Sequence, residues 1–226
     1  NAGDEQGDLL GVIRTQELLQ ARNIDGAEQF FTRAVDFGYS KTPEETLKKW
    51  GKEKILSDVV WVIRKFKPDV IVTRFPPNGL GTHGHHTSSA LLAVEAFNLS
   101  NDPNAFPDQL KYVQPWQPKR IFWNSWPQAL TSMGINPDTL VKINLGEYNN
   151  LLGRSYTEIS AESRSMHKSQ GFGASGRREN LYNYFFQLDG EPAKQNLFDG
   201  IDLSWARVKG SQKVSMLLKK AEDEQR

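Results

Sequence analysis

The chain has 226 residues, of which 38% are hydrophobic and 24% are charged, as is typical of one globular domain with its own core. Its 28 basic and 27 acidic residues give a net charge of +1, and because these charges are interspersed along the chain, we expect no binding to nucleic acid. The absence of cysteine excludes disulfides and thiolate ligands, and no apolar run reaches the roughly 18 residues of a membrane span. Any bound metal would therefore need histidine, aspartate or glutamate ligands.

The first elements along the chain are predicted from hydrophobic spacing. Apolar residues at near-helical intervals predict a helix over residues 9–24. Residues 27–35, which lie between two glycines, are predicted to form a strand. The chain therefore starts with a helix that leads into a strand.

The clearest local signal is a helix start at Thr42. Thr42 has the identity of an N-cap, Pro43 suits the first helical position, and Glu45 follows the cap by three residues, which is the spacing of a capping box. The helix that begins here is predicted to reach about Phe66, with a break near Gly51.

The middle of the chain predicts an α/β fold. Residues 67–75 contain a short continuous apolar run that is typical of a buried strand in a parallel sheet, and a glycine-rich loop and a helix follow it. Further strands are predicted at residues 119–125 and 139–145, and a helix at about residues 150–168. We expect a Rossmann-like sheet that is mostly parallel, with helices on both faces.

The domain organisation is predicted to be simple. No linker rich in Gly, Ser or Pro divides the chain, so residues 1–226 are expected to form one domain. Residues 190–226 end in an amphipathic, charged segment and are expected to be a C-terminal extension that leads into a further domain.

Three of the four histidines lie within four positions, at His83, His85 and His86. They follow the predicted strand in a loop that leads to a helix, which is where open α/β sheets bind ligands. If that helix begins at Gly84, His83 and His86 point into one cleft, whereas His85 is rotated by about 100° from His86. Neutral imidazole is a common zinc ligand; the alternative is a hydrated helix N-terminus without a ligand.

At this point three segments carry a resemblance to a family. The segments GVIRTQELLQARNIDG, PDVIVTRFPPNGLGTHGHHTSSALLAVEAF and SYTEISAESRSMHKSQGFG resemble, in this order, parts of the LmbE-like or PIG-L family of zinc-dependent de-N-acetylases. The resemblance implies a Rossmann-like fold, a Zn²⁺ cofactor and hydrolysis of an N-acetyl group. The implied substrate is an N-acetylglucosamine-type amino sugar in a glycoconjugate.

The resemblance also implies roles for two histidines. His86 matches the zinc ligand of the family's His-x-x-His pair. His83 matches the histidine that assists the tetrahedral oxyanion and protonates the leaving amine.

Other candidate residues are assigned on less specific matches. Arg14 matches a substrate contact, Asp36 is a weaker match to another, and Asn78 in the loop before the histidines is a third candidate. His85 is expected to support the site from a second layer or to face solvent. His167 is either a supporting partner of the site or a capped polar residue at a helix end.

One family signature has no counterpart in the sequence. Nothing matches the His-Pro-Asp-Asp motif at the end of the family's first strand, which provides two more zinc ligands and the catalytic base. We expect this strand to precede Asn1, as an N-terminal companion segment of the same protein. The alternative is a non-catalytic, carbohydrate-binding relative that has lost its metal. The oligomeric state is left open, and similar family members favour an exported protein.

Overall fold

A computed structural model describes residues 3–171 and 173–224. The α-helices in this part of the chain are α1 (Gly7–Asp25), α2 (Pro43–Trp50), α3 (Lys52–Phe66), α4 (Gly84–Leu99), α5 (Pro127–Ser132), α6 (Tyr156–Arg164) and α7 (Gln212–Glu224). The strands are β1 (Val70–Thr73), β2 (Arg120–Ser125), β3 (Val141–Asn144), β4 (Tyr148–Asn149), β5 (Arg154–Ser155) and β6 (Tyr182–Gly190).

The main sheet has the strand order β1-β2-β6-β3. β1 pairs with β2 in parallel, whereas β6 is antiparallel to both β2 and β3. Three of the four strands therefore run in one direction, and β6 lies reversed between two of them. The predicted α/β class, in which most strands of the sheet run in one direction and helices pack against the sheet, is confirmed. β4 and β5 form a separate two-stranded sheet.

The two faces of the sheet are packed by different elements. On one face, Ile71 of β1 packs against a cluster from α3 and α4, and Trp123 of β2 packs against α5. Pairing of Ile71 with Ile121 puts Ile71 and Trp123 on the same face, because side chains alternate along a strand. On the other face, Phe122 and Phe185 pack against the irregular segment around Leu197. These contacts fix the end of β1, where the histidine loop begins.

The predicted start of α2 is confirmed, with one correction. The Thr42 side chain accepts a hydrogen bond from the Glu45 backbone N–H at 3.3 Å, and Pro43 is the first helical residue. The Glu45 carboxylate accepts from the Ser40 hydroxyl at 3.1 Å instead of closing a capping box on Thr42. The predicted break is also confirmed, because Gly51 separates α2 from α3 with a φ of 74°.

The strand predicted over residues 27–35 is wrong, because this segment is irregular. Its backbone groups are bonded to side chains of α2 and α3 instead of a neighbouring strand. The Arg33 N–H donates to the Asp58 carboxylate at 2.9 Å, and the Trp50 indole donates to the Val35 carbonyl at 2.9 Å. The segment therefore runs over these two helices and positions the loop that follows it.

The helix predicted over residues 150–168 is shorter than expected. α6 begins at Tyr156, because Ser155 and Glu158 form a complete capping box. The preceding residues form the β4–β5 hairpin, and a 3₁₀ turn at Lys168–Gln170 follows the helix. α6 packs along α1 and so supports the helix that carries Arg14.

Part of the C-terminal segment packs against the sheet. The buried Arg120 guanidinium donates to the carbonyls of Glu191, Leu197 and Asp199 at 2.7 to 3.0 Å. The organisation into one domain with an extension over residues 190–226 stays a prediction. None of the described helices combines the length and apolar character needed to cross a bilayer.

Candidate active site

The start of α4 brings two histidines together, as the spacing predicts. α4 begins at Gly84, His83 is its N-cap residue, and His86 lies in its first turn. The Gly84 N–H donates to the Ser40 carbonyl at 2.9 Å, and a Cβ at residue 84 would overlap the Thr42 carbonyl oxygen. A glycine is therefore required where the helix start approaches the loop before α2.

The His83 and His86 rings are in contact, with centroids 3.7 Å apart. Phe75 stacks on His86 at 3.6 Å with an interplanar angle of 5°, which fixes the plane of the imidazole. Burial lowers the pKa of His86, and the neighbouring His83 and His85 lower it further. The neutral form, which has a free nitrogen lone pair for a ligand, is therefore favoured at neutral pH.

His85 has different surroundings from the other two histidines. Its ring stacks on Trp50 at 5.4 Å and lies 4.6 Å from the Phe37 ring. Trp50 also holds the irregular segment through its bond to the Val35 carbonyl. His85 thus links the start of α4 to the loop that contains Phe37.

A cavity of about 1010 Å³ lies between α1 and this loop. Arg14 and Asp36, which were both candidate substrate contacts, line it together with Phe37. The Arg14 Nε is buried and has no hydrogen-bond partner within the protein, so it is available to a ligand. Because Phe37 also touches His85, the cavity borders the histidine cluster.

Asn78 and His167 occupy other places. Asn78 shapes the loop before α4, where its side-chain oxygen accepts from the Leu80 N–H at 3.1 Å. His167 lies at the end of α6 and lines a second cavity, of about 760 Å³, with Arg22 and Asp25. Neither Asn78 nor His167 is among the residues that line the cavity of Arg14 and Asp36.

The sequence analysis missed Tyr39. Its side chain is 73% exposed, and its ring centroid lies 5.3 Å from that of His83. The signal that was available is its position three residues before the Thr42 cap, on the chain that enters α2. Spacing alone does not reveal its proximity to His83, because that proximity depends on how the loop before α2 approaches the start of α4.

The described residues do not by themselves form a zinc site. Within residues 3–171 and 173–224, no three His, Asp or Glu side chains converge as a metal-binding group. A catalytic zinc ion usually has three protein ligands, whereas the described site offers His86 and its neighbour His83. Further ligands have to come from elsewhere if zinc binds here.

The part of the chain that contains this site is similar to known proteins. Residues 1–97 match the family model described as PIG-L: GlcNAc-PI de-N-acetylase. Residues 1–97 are therefore similar to this family, but they make up less than half of the chain. The matched segment contains α1, the cavity loop and the histidines, and it ends within α4.

Two curated relatives match parts of the chain, and both are named 1D-myo-inositol 2-acetamido-2-deoxy-alpha-D-glucopyranoside deacetylase. The protein from Streptomyces scabiei is 30% identical over 82 residues, which are 36% of this chain and 24% of the relative. The protein from Streptomyces avermitilis is 36% identical over 76 residues, 34% of this chain and 24% of the relative. Each of these two alignments thus spans about a quarter of the length of the relative.

One solved structure is also similar to the chain. N,N'-diacetylchitobiose deacetylase from Pyrococcus horikoshii, complexed with its inhibitor, has 14% sequence identity and a TM-score of 0.44. The match covers 83% of this chain and 68% of that one.

Proposed function

We propose that this chain is part of a de-N-acetylase that hydrolyses the N-acetyl group of an N-acetylglucosamine-type amino sugar in a glycoconjugate. The observation that carries the proposal is the contact between His83 and His86 beside the cavity lined by Arg14 and Asp36. These four residues lie within the segment that matches the PIG-L family model. The two curated relatives are named as deacetylases of an acetamido sugar.

His83 is proposed to be the general acid. In amide hydrolysis, water adds to the acetyl carbon, the C–N bond breaks, and the departing amine nitrogen takes up a proton. An imidazolium at residue 83 supplies that proton, a role worth about 10² to 10⁴ in rate. The contact of the His83 ring with His86 supports this role, because it puts the imidazole next to the proposed zinc ligand.

His86 is proposed to be one zinc ligand of the complete enzyme. PIG-L proteins are generally zinc-dependent, and the lowered pKa of His86 favours the neutral imidazole that a metal requires. Since the described residues contain no group of three ligands, the other ligands are proposed to belong to an N-terminal companion segment.

The free edge of β1 supports a place for that segment. Among the described strands, β1 pairs only with β2. Val72, which is part of β1, is 46% exposed. Two cavities flank this strand, one of about 240 Å³ and one of about 340 Å³, and His86 lines the larger. An extended segment paired along β1 would satisfy the free backbone groups and end near His86.

Arg14, Asp36 and Asn78 are proposed to contact the substrate. Arg14, from α1, and Asp36, from the loop on the other side, offer a cation and an anion to the cavity of about 1010 Å³, which suits the hydroxyl groups of a sugar. Asn78 is proposed with less structural support, because its side-chain oxygen is already bonded within the loop.

A second candidate function is carbohydrate binding without catalysis. The absence of a three-ligand group among the described residues favours it. This protein would bind N-acetylglucosamine conjugates but release no acetate, even when zinc is supplied.

The test uses the complete natural protein, whose intact mass identifies any companion segment. Zinc content and acetate release from an N-acetylglucosamine conjugate are measured for the wild type, His86→Ala and His83→Ala. We expect His86→Ala to lose zinc, and His83→Ala to keep zinc and lose about 10² to 10⁴ in turnover.

The two variants serve as controls for each other, because each removes one imidazole from the same helix start. Full zinc content and full turnover in both variants would sink the assignment. A wild-type protein that binds the conjugate but releases no acetate would favour the second candidate.

A further inference from the structure

Tyr39 combines high exposure with proximity to the proposed acid. Its side chain is 73% exposed, although a tyrosine normally covers much of its ring. Its ring centroid is 5.3 Å from His83, with an interplanar angle of 51°. A large aromatic surface therefore lies open to solvent beside the group that is proposed to act on the acetamide.

The backbone on both sides of Tyr39 is fixed by hydrogen bonds. Before it, the Gly38 N–H donates to Asp36 Oδ1 at 2.9 Å. After it, Ser40 is fully buried, and its carbonyl accepts from the Gly84 N–H at 2.9 Å. Because Gly84 immediately follows His83, this hydrogen bond fixes the backbone of Tyr39 relative to the backbone of His83. The backbone that carries the exposed ring is thus ordered before any ligand binds, which reduces the entropy cost of binding.

Exposed aromatic rings bind partners that have an apolar face and polar edges. A pyranose ring has this character, because its C–H groups form a face while its hydroxyls project from the edge. The negative face of the aromatic ring attracts the weakly positive C–H groups, and Arg14 and Asp36 in the nearby cavity suit the hydroxyls.

We propose that Tyr39 is the platform on which the pyranose ring of the amino sugar stacks beside His83. The proposal rests on the proposed function and names a residue that determines its substrate specificity. Tyr39 acts through the sugar ring and takes no part in proton transfer.

The test separates the ring of Tyr39 from its hydroxyl group. In the complete zinc-loaded protein, Tyr39→Leu is expected to raise KM for an N-acetylglucosamine conjugate by about 5- to 20-fold. The kcat should stay within about twofold, because stacking stabilises substrate and transition state alike. Tyr39→Phe, which keeps the ring, should retain the wild-type KM within about twofold.

Tyr112→Leu is the matched control. Tyr112 is 78% exposed and packs edge-on against Trp61, so its loss removes a comparable surface tyrosine. Its KM should equal that of the wild type. The melting temperatures of the Tyr39 and Tyr112 variants are compared to detect a purely structural effect.

Each result of these measurements leads to a different conclusion. An unchanged KM in Tyr39→Leu, with acetate release intact, overturns the platform and leaves the proposed function standing. An equal rise of KM in Tyr39→Phe and Tyr39→Leu overturns it in favour of the hydroxyl group. A loss of kcat with a lowered melting temperature in Tyr39→Leu overturns it in favour of a structural contact. No acetate release by the wild type overturns the proposed function itself.

Discussion

Gly84 shows how one residue couples two parts of the site. It is buried, and its N–H bonds to Ser40 while its missing side chain leaves room for the Thr42 carbonyl. The start of α4, with His83 and His86, can approach the loop of Tyr39 only because residue 84 has no Cβ. Backbone proximity therefore sets the geometry of the side chains.

Gly84→Ala is expected to destabilise the protein by about 1–3 kcal/mol, because the added methyl group overlaps the Thr42 carbonyl and the Ser40 hydroxyl. Chemical denaturation measures the change. Gly11→Ala, in α1, is the control, since a Cβ there meets no atom within 4 Å and alanine favours a helix. Equal stability of the two variants would contradict the close approach.

The elements differ in how far their sequences determine them. The strand at residues 70–73 and the helix that begins at Gly84 were predicted closely. An apolar run indicates a buried strand, and the glycine-rich loop after it indicates where the next helix begins. The failed strand at residues 27–35 has strand-like composition, but a strand also requires a neighbouring strand, which hydrophobic spacing does not reveal. In the site, the spacing of His83 and His86 predicts that both side chains point to the same side of the helix start, and the structure brings their rings into contact. The position of Tyr39 depends on the distant bond between Ser40 and Gly84 and was not predictable from spacing.

The capping box of α6 makes one element sensitive to pH. A hydrogen bond from the Ser155 backbone N–H, followed by the bond from Arg178, lowers the pKa of Glu158 from its usual 4.5 to about 2. A depressed carboxyl pKa stabilises the fold above pH 4.5, and this stabilisation is lost as the pH falls toward 2. The stabilisation of α6 by this capping box should therefore be lost in acid.

Glu158→Gln is expected to lower the melting temperature at pH 7, because it removes the charge that the cap and Arg178 stabilise. The difference from the wild type should shrink between pH 4.5 and about pH 2, where the wild-type carboxyl also becomes neutral. Thermal melts followed by circular dichroism over this pH range measure it. A difference that is constant with pH would contradict the assignment.

At the scale of the whole molecule, two buried arginines attach irregular segments to the elements on which the arginines lie. Arg64 donates to the carbonyls of Ser100, Asp102 and Ala105, and Arg120 donates to carbonyls between residues 191 and 199. Both side chains are essentially inaccessible to solvent. Each compensates its own burial by satisfying carbonyls that would otherwise lack donors.

Arg120→Met is expected to destabilise the protein by at least about 2 kcal/mol, because it leaves buried carbonyls without donors. Amide exchange should become faster in residues 191–199. Arg64→Met is the matched control: it should destabilise the protein to a similar degree while residues 191–199 keep their protection. Unchanged exchange of these residues in Arg120→Met would show that they are held by other contacts.

The position of β6 also determines the order in which the sheet can assemble during synthesis. β1 and β2 can pair once residue 125 has left the ribosome, but β3 borders only β6 among the described strands. After residue 144 emerges, translation of about 40 further residues takes seconds at typical rates. Throughout that time β3 has no partner, so the nascent chain exposes the open side of β2 and an isolated β3 until residues 182–190 insert between them.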